Sequence, residues 1–422
     1  MLARVSGGGR LEGSVRVPGD KSISHRALIF NAIADGQASV DGLSAAADVA
    51  STASCLRSLG VGVEGGKVAG AGLRGLRPPA GPLDCGNSGT TMRLLAGLLA
   101  AQPFQSVLVG DASLSRRPME RLTEPLRRMG ALAETSPLRV GGGDGLVAVE
   151  HASPVSSAQL KTALLLAGLY ASGRTTVTEP APSRDHSERM LRAMGADLEY
   201  APGLASVTGP ARGLRPLNLT VPGDLSAAAF WLVAAGLGRR SRVRLPGVGI
   251  NPTRTAVLDV LRRVGLEVRV SGGRPVGEEP VGDLEAGGEA SELGPLRVEG
   301  AEAALLIDEL PVLAVAAAFL PGTSLITGAA ELRVKESDRI AAVTEGLQAL
   351  GGRVVELPDG WEITGGGGLE GGRVKARGDH RVAMALAVAG LLAGGETEIE
   401  DAECVAVSYP AFWDHLEQLC SR

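Results

Sequence analysis

Aromatic residues make up only 3% of this 422-residue chain, so its core should be packed from Ala, Val and Leu rather than from rings. The sequence has no run of about 18 apolar residues. Its opening, Met1-Leu2-Ala3-Arg4-Val5-Ser6-Gly7, carries no apolar signal core. Both absences lead us to expect a cytoplasmic protein without a membrane partner. Cysteine is sparse: Cys55, Cys85, Cys404 and Cys420 have neither CxxC spacing nor the density of a disulfide scaffold, and read as buried thiols. His25, His186 and His380 lack metal-ligand spacing, so no metal is expected. His151 and His415 have no motif context and read as surface residues. The net charge of -5 argues against a nucleic-acid partner gripped over the whole surface, so any cationic site must be local.

Lysine is the scarcest charged residue. Of 42 basic residues only five are lysine, at Lys21, Lys67, Lys161, Lys335 and Lys375. A chain that otherwise uses arginine keeps lysine where a compact ammonium able to exchange a proton is useful, which singles out Lys21 and Lys335.

Glycine is abundant, with 60 residues, and part of it is periodic. The pattern Leu-x-x-apolar-Gly occurs from Leu56, Leu126, Leu191, Leu261 and Leu347, with a degenerate copy from Leu416 to Cys420, at intervals of 70, 65, 70, 86 and 69. Each full copy predicts a helix stopped by a C-terminal glycine and followed by a short strand, such as 266–270 or 353–357. Ahead of each lies a more apolar helix, around 26–34, 90–100, 159–170, 227–236, 310–320 and 380–392. Segments apolar all round, such as 314–318 and 383–389, predict helices that other elements surround. The repeat is therefore strand, buried helix, strand, outer helix, hairpin, and six such units make an α/β protein of two domains with three repeats each. Val17-Pro18-Gly19-Asp20 recurs as Val221-Pro222-Gly223-Asp224. These stiff turns mark the expected crossovers near 18–20 and 222–224, giving a continuous domain 20–224 and a discontinuous one of 1–19 plus 225–422.

The unusual polar residues cluster at the starts of the buried helices: Lys21 to Arg26, Asn87 to Arg93, Ser157 to Lys161, Asp224 to Ser226, Asp308-Glu309 and Asp379 to Arg381. Helix N-termini favour anions, so six of them meeting in a cleft with Lys21, Arg26, Lys335, Arg339 and Arg381 would suit a polyanionic small molecule. Arg117 could add a bidentate clamp for phosphate or carboxylate. In the stretch 331–339 (ELRVKESDR), Lys335 and Arg339 are four apart; if the segment opens a helix they share one face, with Glu336 beside them. The turn 86–91 (GNSGTT) lacks the lysine of a nucleotide P-loop, so ATP is weakly supported.

Seven motifs in order, GDKSISHRA, LDCGNSGTTMRLLAGLL, SRRPMERL, SAQLKTALL, SRDHSERML, LRVKESDRI and GDHRVAMALA, closely resemble the 5-enolpyruvylshikimate-3-phosphate synthase family. The resemblance implies the two-domain inside-out α/β barrel of six βαβαββ repeats. It also implies a monomer that transfers the enolpyruvyl group of phosphoenolpyruvate to the 5-hydroxyl of shikimate 3-phosphate, without metal or organic cofactor. On the family motifs, Lys21, Ser22, Arg26, Ser157, Ala158, Ser183, Asp308 and Lys335 would hold shikimate 3-phosphate. Lys21, Gly89, Arg117, Gln159, Lys335, Arg339, His380 and Arg381 would surround phosphoenolpyruvate. Asp308 would contact the acceptor hydroxyl, Glu336 would face the methylene, and Lys21 would share in proton transfer, with His380 in support. Replacing Arg339 by Ala is expected to harm phosphoenolpyruvate affinity more than folding.

Against the best-known bacterial branch, Ala158 replaces serine, His186 tyrosine, Glu331 asparagine and Val407 a lysine that touches phosphoenolpyruvate. The combination of 19–24, 157–161, 184–188 and 251–254 resembles instead the second class, whose members tend to tolerate glyphosate. UDP-N-acetylglucosamine enolpyruvyl transferase shares fold and donor. However, the loop 109–115 lacks the cysteine usual there, and Asp20-Lys21-Ser22 is absent from that enzyme's opening motif. A non-catalytic anion-binding or RNA-end-processing protein would have no use for Asp308 and Glu336 among cations.

Overall fold

Apolar helices form the interior: Leu225–Leu237, Leu310–Phe319 and His380–Leu392 carry Ala, Leu and Val around most of the circumference. The computed structural model describes residues 1–142, 145–287 and 292–420. In chain order its helices are α1 (Lys21–Ala32), α2 (Ala47–Ser58), α3 (Gly89–Leu99), α4 (Glu120–Arg128), α5 (Ala158–Gly168), α6 (His186–Ala193), α7 (Leu225–Leu237), α8 (Ala256–Arg263), α9 (Ala301–Leu305), α10 (Leu310–Phe319), α11 (Arg339–Ala349), α12 (His380–Leu392) and α13 (Phe412–Cys420). In α7 every residue from Leu225 to Gly236 is buried, and in α12 every residue from His380 to Leu391.

The chain divides into two compact units, each with its own hydrophobic core. One comprises Met1–Pro18, Pro222–Arg274 and Pro280–Arg422; the other comprises Gly19–Val221 and Pro275–Glu279. In the first, α7, α10 and α12 pack against one another; in the second, α3 packs against α1 and α5. The fold is the inside-out α/β arrangement, with the most apolar helices innermost and the sheets outside them.

Among the described residues, six small sheets follow one plan. In the second repeat, 83–84 runs parallel to 105–109, which pairs antiparallel with 138–141, which pairs antiparallel with 132–135. The parallel pair needs a crossover, which α3 supplies; the antiparallel pair needs only a tight turn. The plan repeats with 150–152, 173–178, 204–209 and 198–201, and with 297–298, 322–326, 360–365 and 353–357. Distant segments complete the other three sheets. Residues 219–220 supply the first strand beside 37–41, residues 12–14 that beside 242–249, and residues 2–6 the antiparallel partner of 396–400.

The leucine–glycine pattern has a structural cause. Gly60, Gly130, Gly195, Gly265 and Gly351 have φ of 86°, 96°, 94°, 91° and 82°, the left-handed region where a side chain is costly. The following residue then donates its N–H back to the repeated leucine: Val61 to Leu56, Ala131 to Leu126, Ala196 to Leu191, Leu266 to Leu261 and Gly352 to Leu347. That is the Schellman closure of a helix end, so the motif is the terminus of α2, α4, α6, α8 and α11. The Val-Pro-Gly-Asp repeat is likewise demanded by contact. A Cβ on Gly19 would lie 1.9 Å from the Gly42 carbonyl oxygen, and one on Gly223 would lie 2.7 Å from Val17. Asp20 and Asp224 then cap α1 and α7.

Three expectations need correction. His151 is buried, because it points inward from the short strand 150–152, and His415 is half-buried against the Tyr409 hydroxyl. Cys55 and Cys85 are buried, but Cys404 is only half-buried and Cys420, at the end of the amphipathic α13, is exposed. The scarce aromatics concentrate in one unit, where Trp231 stacks on Phe412 with centroids 4.9 Å apart and donates its indole N–H to Tyr409.

Candidate functional site

The sequence-predicted residues fall into two clusters, one in each unit. In the unit containing α1 to α6, Asp20 caps α1 by accepting the Ile23 N–H at 2.9 Å and thereby exposes the next residues at the helix start. Lys21 Nζ lies 2.9 Å from Asp48 Oδ2 on α2. Arg26 is buried and almost wholly engaged. Its Nε donates to Ser187 Oγ at 2.6 Å, and one terminal nitrogen donates to Thr162 Oγ1 at 2.9 Å. The other donates to the Ser22 carbonyl at 3.0 Å, which draws Ser22 to the same cluster. Burial pulls the Arg26 guanidinium down to about 10, with Glu188 and Asp20 opposing the fall, so it stays charged at neutral pH.

Ser157 caps α5 and donates its N–H to Glu179 Oε1 at 2.6 Å, while the Ser183 hydroxyl donates to Glu179 Oε2 at 2.6 Å. Ala158 follows as the first residue of α5. Gln159 joins a second group: its Oε1 accepts from Arg93 at 2.6 Å and its Nε2 donates to Thr90 Oγ1 at 2.8 Å. Gly89 begins α3 at this point, and a Cβ there would meet Arg93 at 3.0 Å and Arg117 at 3.1 Å. Arg117 in turn donates to Asn87 Oδ1 at 3.0 Å. Gly89, Arg117 and Gln159 are thus brought together, with Arg93, which the sequence placed among the polar residues of this helix start but not in the site, as the link. His186 lies apart from them, buried, with Nδ1 2.8 Å from Glu279 Oε1.

The second cluster surrounds Arg339. Its Nε donates to Asp379 Oδ2 at 2.8 Å, and its terminal nitrogens lie 2.5 Å from Glu336 Oε2 and 3.8 Å from Asp308 Oδ1. Arg381 shares Asp308, with Nε 3.5 Å from Oδ1 and another nitrogen donating to the Asp308 carbonyl at 3.1 Å. Burial works to lower the proton affinity of Arg339, but Asp379 and Glu336 outweigh it and raise it above the ordinary arginine value. Burial would raise Asp379 too; Arg339 and His380 hold it below the usual carboxylate range. Asp379 also caps α12, so one buried carboxylate orients both the helix carrying His380 and Arg381 and the guanidinium of Arg339. Its neighbour in role, Glu309, is spent structurally on Ser226 and Arg254.

The expected shared face of Lys335 and Arg339 does not exist. Residues Ala330–Val334 form a 3-10 turn, Lys335 is extended, and Asp338 caps a new helix that starts at Arg339. Lys335 pairs instead with Glu331 at 2.5 Å. The helix-end potential is also weaker than expected. Asp20, Ser88, Ser157, Asp224 and Asp379 already accept from the first N–H groups of their helices, and three of these caps are carboxylates. Among the described residues, no group of three or more His, Cys, Asp and Glu is placed to hold a metal ion, and no helix is long and apolar enough to cross a membrane.

Residues 5–416 match the family model described as EPSP synthase (3-phosphoshikimate 1-carboxyvinyltransferase). A 3-phosphoshikimate 1-carboxyvinyltransferase of Synechococcus sp. (strain RCC307) is 50% identical over 98% of both chains, and one of Herpetosiphon aurantiacus is 49% identical over 99% of both. The solved EPSP synthase of Acinetobacter baumannii superposes with a TM-score of 0.88 at 42% identity, covering 99% of this chain and 98% of its own.

Proposed function

The chain belongs to the EPSP synthase family, and we propose that the two clusters built on Arg26 and Arg339 carry its chemistry. The reaction is transfer of the enolpyruvyl group from phosphoenolpyruvate to the 5-hydroxyl of shikimate 3-phosphate, releasing phosphate, in the shikimate pathway. Lys21, Ser22, Arg26, Ser157, Ala158, Ser183, Asp308 and Lys335 hold the acceptor; Lys21, Gly89, Arg117, Gln159, Lys335, Arg339, His380 and Arg381 hold the donor.

Addition removes the proton of the 5-hydroxyl as its oxygen bonds to C2 of phosphoenolpyruvate, and C3 gains a proton to become a methyl group. Elimination takes a proton back from C3 while the C2–O bond to phosphate breaks. Asp308 accepts the hydroxyl proton and Glu336 serves the methyl carbon. Lys21 steadies the departing phosphate and shares in proton transfer. The observation that supports these roles most is the shared guanidinium: Glu336 lies 2.5 Å and Asp308 3.8 Å from nitrogens of Arg339. A carboxylate beside a guanidinium is held ionised. The donor's carboxylate competes with Glu336 for Arg339. The direct test is phosphate release with both substrates present against either alone; equal background rates in the three mixtures would refute the assignment.

The protein works as a cytoplasmic monomer on these two small molecules, with neither nucleic acid nor membrane as partner. A concentration-dependent mass in sedimentation would contradict the monomer. As a family target for glyphosate it belongs to the tolerant class, supported by 157–161 (SAQLK) and 184–188 (RDHSE). An inhibition constant for glyphosate well below the KM for phosphoenolpyruvate would contradict tolerance.

A further inference from the structure

Behind Ser157 and Ser183 lies a set of buried charges to which the proposed reaction assigns no role. Lys161 Nζ sits between Glu179 Oε2 at 3.0 Å and Glu188 Oε1 at 2.7 Å, and the three side chains are 5%, 1% and 2% exposed. Such a triad is weak evidence of a stability function, since apolar residues of the same volume often serve as well. Its placement is more telling. The two oxygens of Glu179 divide between the Ser157 N–H and the Ser183 hydroxyl, both at 2.6 Å, while Ser157 and Ser183 themselves are only half-buried.

A serine hydroxyl has one proton. While it is donated to Glu179, Ser183 offers a ligand lone pairs alone, and a phosphate dianion offers only acceptors in return. Ser183 can therefore hold a phosphate only by turning its proton away from Glu179. Lys161 lies on the same Oε2 atom, so that oxygen keeps a charged partner when the hydroxyl leaves. The carboxylate meanwhile keeps its other oxygen on the Ser157 N–H and holds the start of α5 in place.

We propose that Glu179 is a positioning residue for the phosphate of the acceptor, with Lys161 as the counter-charge that lets Ser183 transfer its hydrogen bond from Glu179 to that phosphate. This rests on the reading that Ser157 and Ser183 hold shikimate 3-phosphate. Steady-state kinetics on Ser183→Ala, Glu179→Gln and the double variant test it. Each single change raises the KM for shikimate 3-phosphate about tenfold, and leaves kcat and the KM for phosphoenolpyruvate within about twofold. In the Ser183→Ala background the effect of Glu179→Gln shrinks to about a third or less, which a merely structural role would not produce. Glu179→Asp keeps the negative charge but is one methylene too short to reach both serines. It shows the same selective rise, and decides the matter if Glu179→Gln does not fold. An equal rise in both KM values, a loss confined to kcat, an unchanged effect in the Ser183→Ala background or wild-type behaviour of Glu179→Asp overturns the proposal alone. A normal KM in Ser183→Ala overturns the underlying reading and the proposal with it.

Discussion

Around Arg26 the nearest oxygens belong to two hydroxyls and a backbone carbonyl, whereas around Arg339 they belong to three carboxylates. The nearest acceptors of Arg26 are neutral and do not cancel its charge, which under the proposed assignment suits a standing site for an anion. Arg339 is neutralised from within, and an anion must compete with Glu336 and Asp308 for it. The first arrangement suits an acceptor that is gripped and not altered at its phosphate; the second suits a donor whose arrival has to release proton carriers.

The difference should show most strongly in Arg339→Ala. Arg339 and Asp379 are buried together, and removing one partner of such a pair costs roughly 3 to 5 kcal/mol. Both the unfolding free energy and the affinity for phosphoenolpyruvate should fall, where the sequence led us to expect that affinity would suffer more than folding. Denaturant unfolding read beside phosphate release checks it, and an unshifted midpoint would contradict the buried pairing.

Acid should separate the units next. Burial drives His25, in the unit of Arg26, from 6.5 down to about 3. Between those values the unfolded chain binds a proton that the folded one excludes. The contribution of His25 is thus complete above pH 6.5 and is lost on acidification toward pH 3, at about 1.4 kcal/mol per pH unit. Asp379, in the other unit, has its folded value below 3.8, so its contribution is complete above that and is lost only in stronger acid. Unfolding measured from pH 7 to pH 4 should show a slope that His25→Gln reduces; an identical slope in that variant would remove His25 from the account.

Arg26→Met should come third. Its lost partners are neutral, so its stability loss should be smaller than that of Arg339→Ala, with the KM for shikimate 3-phosphate raised about tenfold and that for phosphoenolpyruvate little changed. Kinetics with each substrate varied in turn would show it. The smallest effect should be that of Ser88→Ala, which removes the acceptor for the Thr91 N–H at the start of α3 and costs about 1 kcal/mol, measurable by thermal unfolding.

What the residues disclosed in advance depended on whether the cause was local. The ends of the outer helices were legible because a left-handed C-terminal residue demands glycine within five positions of the leucine it closes on. The buried helices were legible because no polar face interrupts them. Closure of the sheets was not, since 219–220, 12–14 and 2–6 pair with strands far along the chain and are too short to show alternation. In the candidate site, the cations were visible from motifs, but their partners were not. Asp379 meets Arg339 across 40 positions and Arg93 meets Gln159 across 66, distances at which spacing carries no signal. The misplaced helix start at Lys335 has the opposite origin: the local charge pattern favoured a helix, and the cap at Asp338 moved its beginning to Arg339.

Asp308 and Glu336 are proposed to move protons, beyond the share Asp308 has in holding the acceptor, and phosphate release from the two mixed substrates tests this most directly. Asp308→Asn and Glu336→Gln, compared at saturating substrate, should each lower kcat by about a hundredfold or more while both KM values stay within a few-fold of the parent. Full turnover in either variant, or a loss expressed only in KM, would contradict the claim.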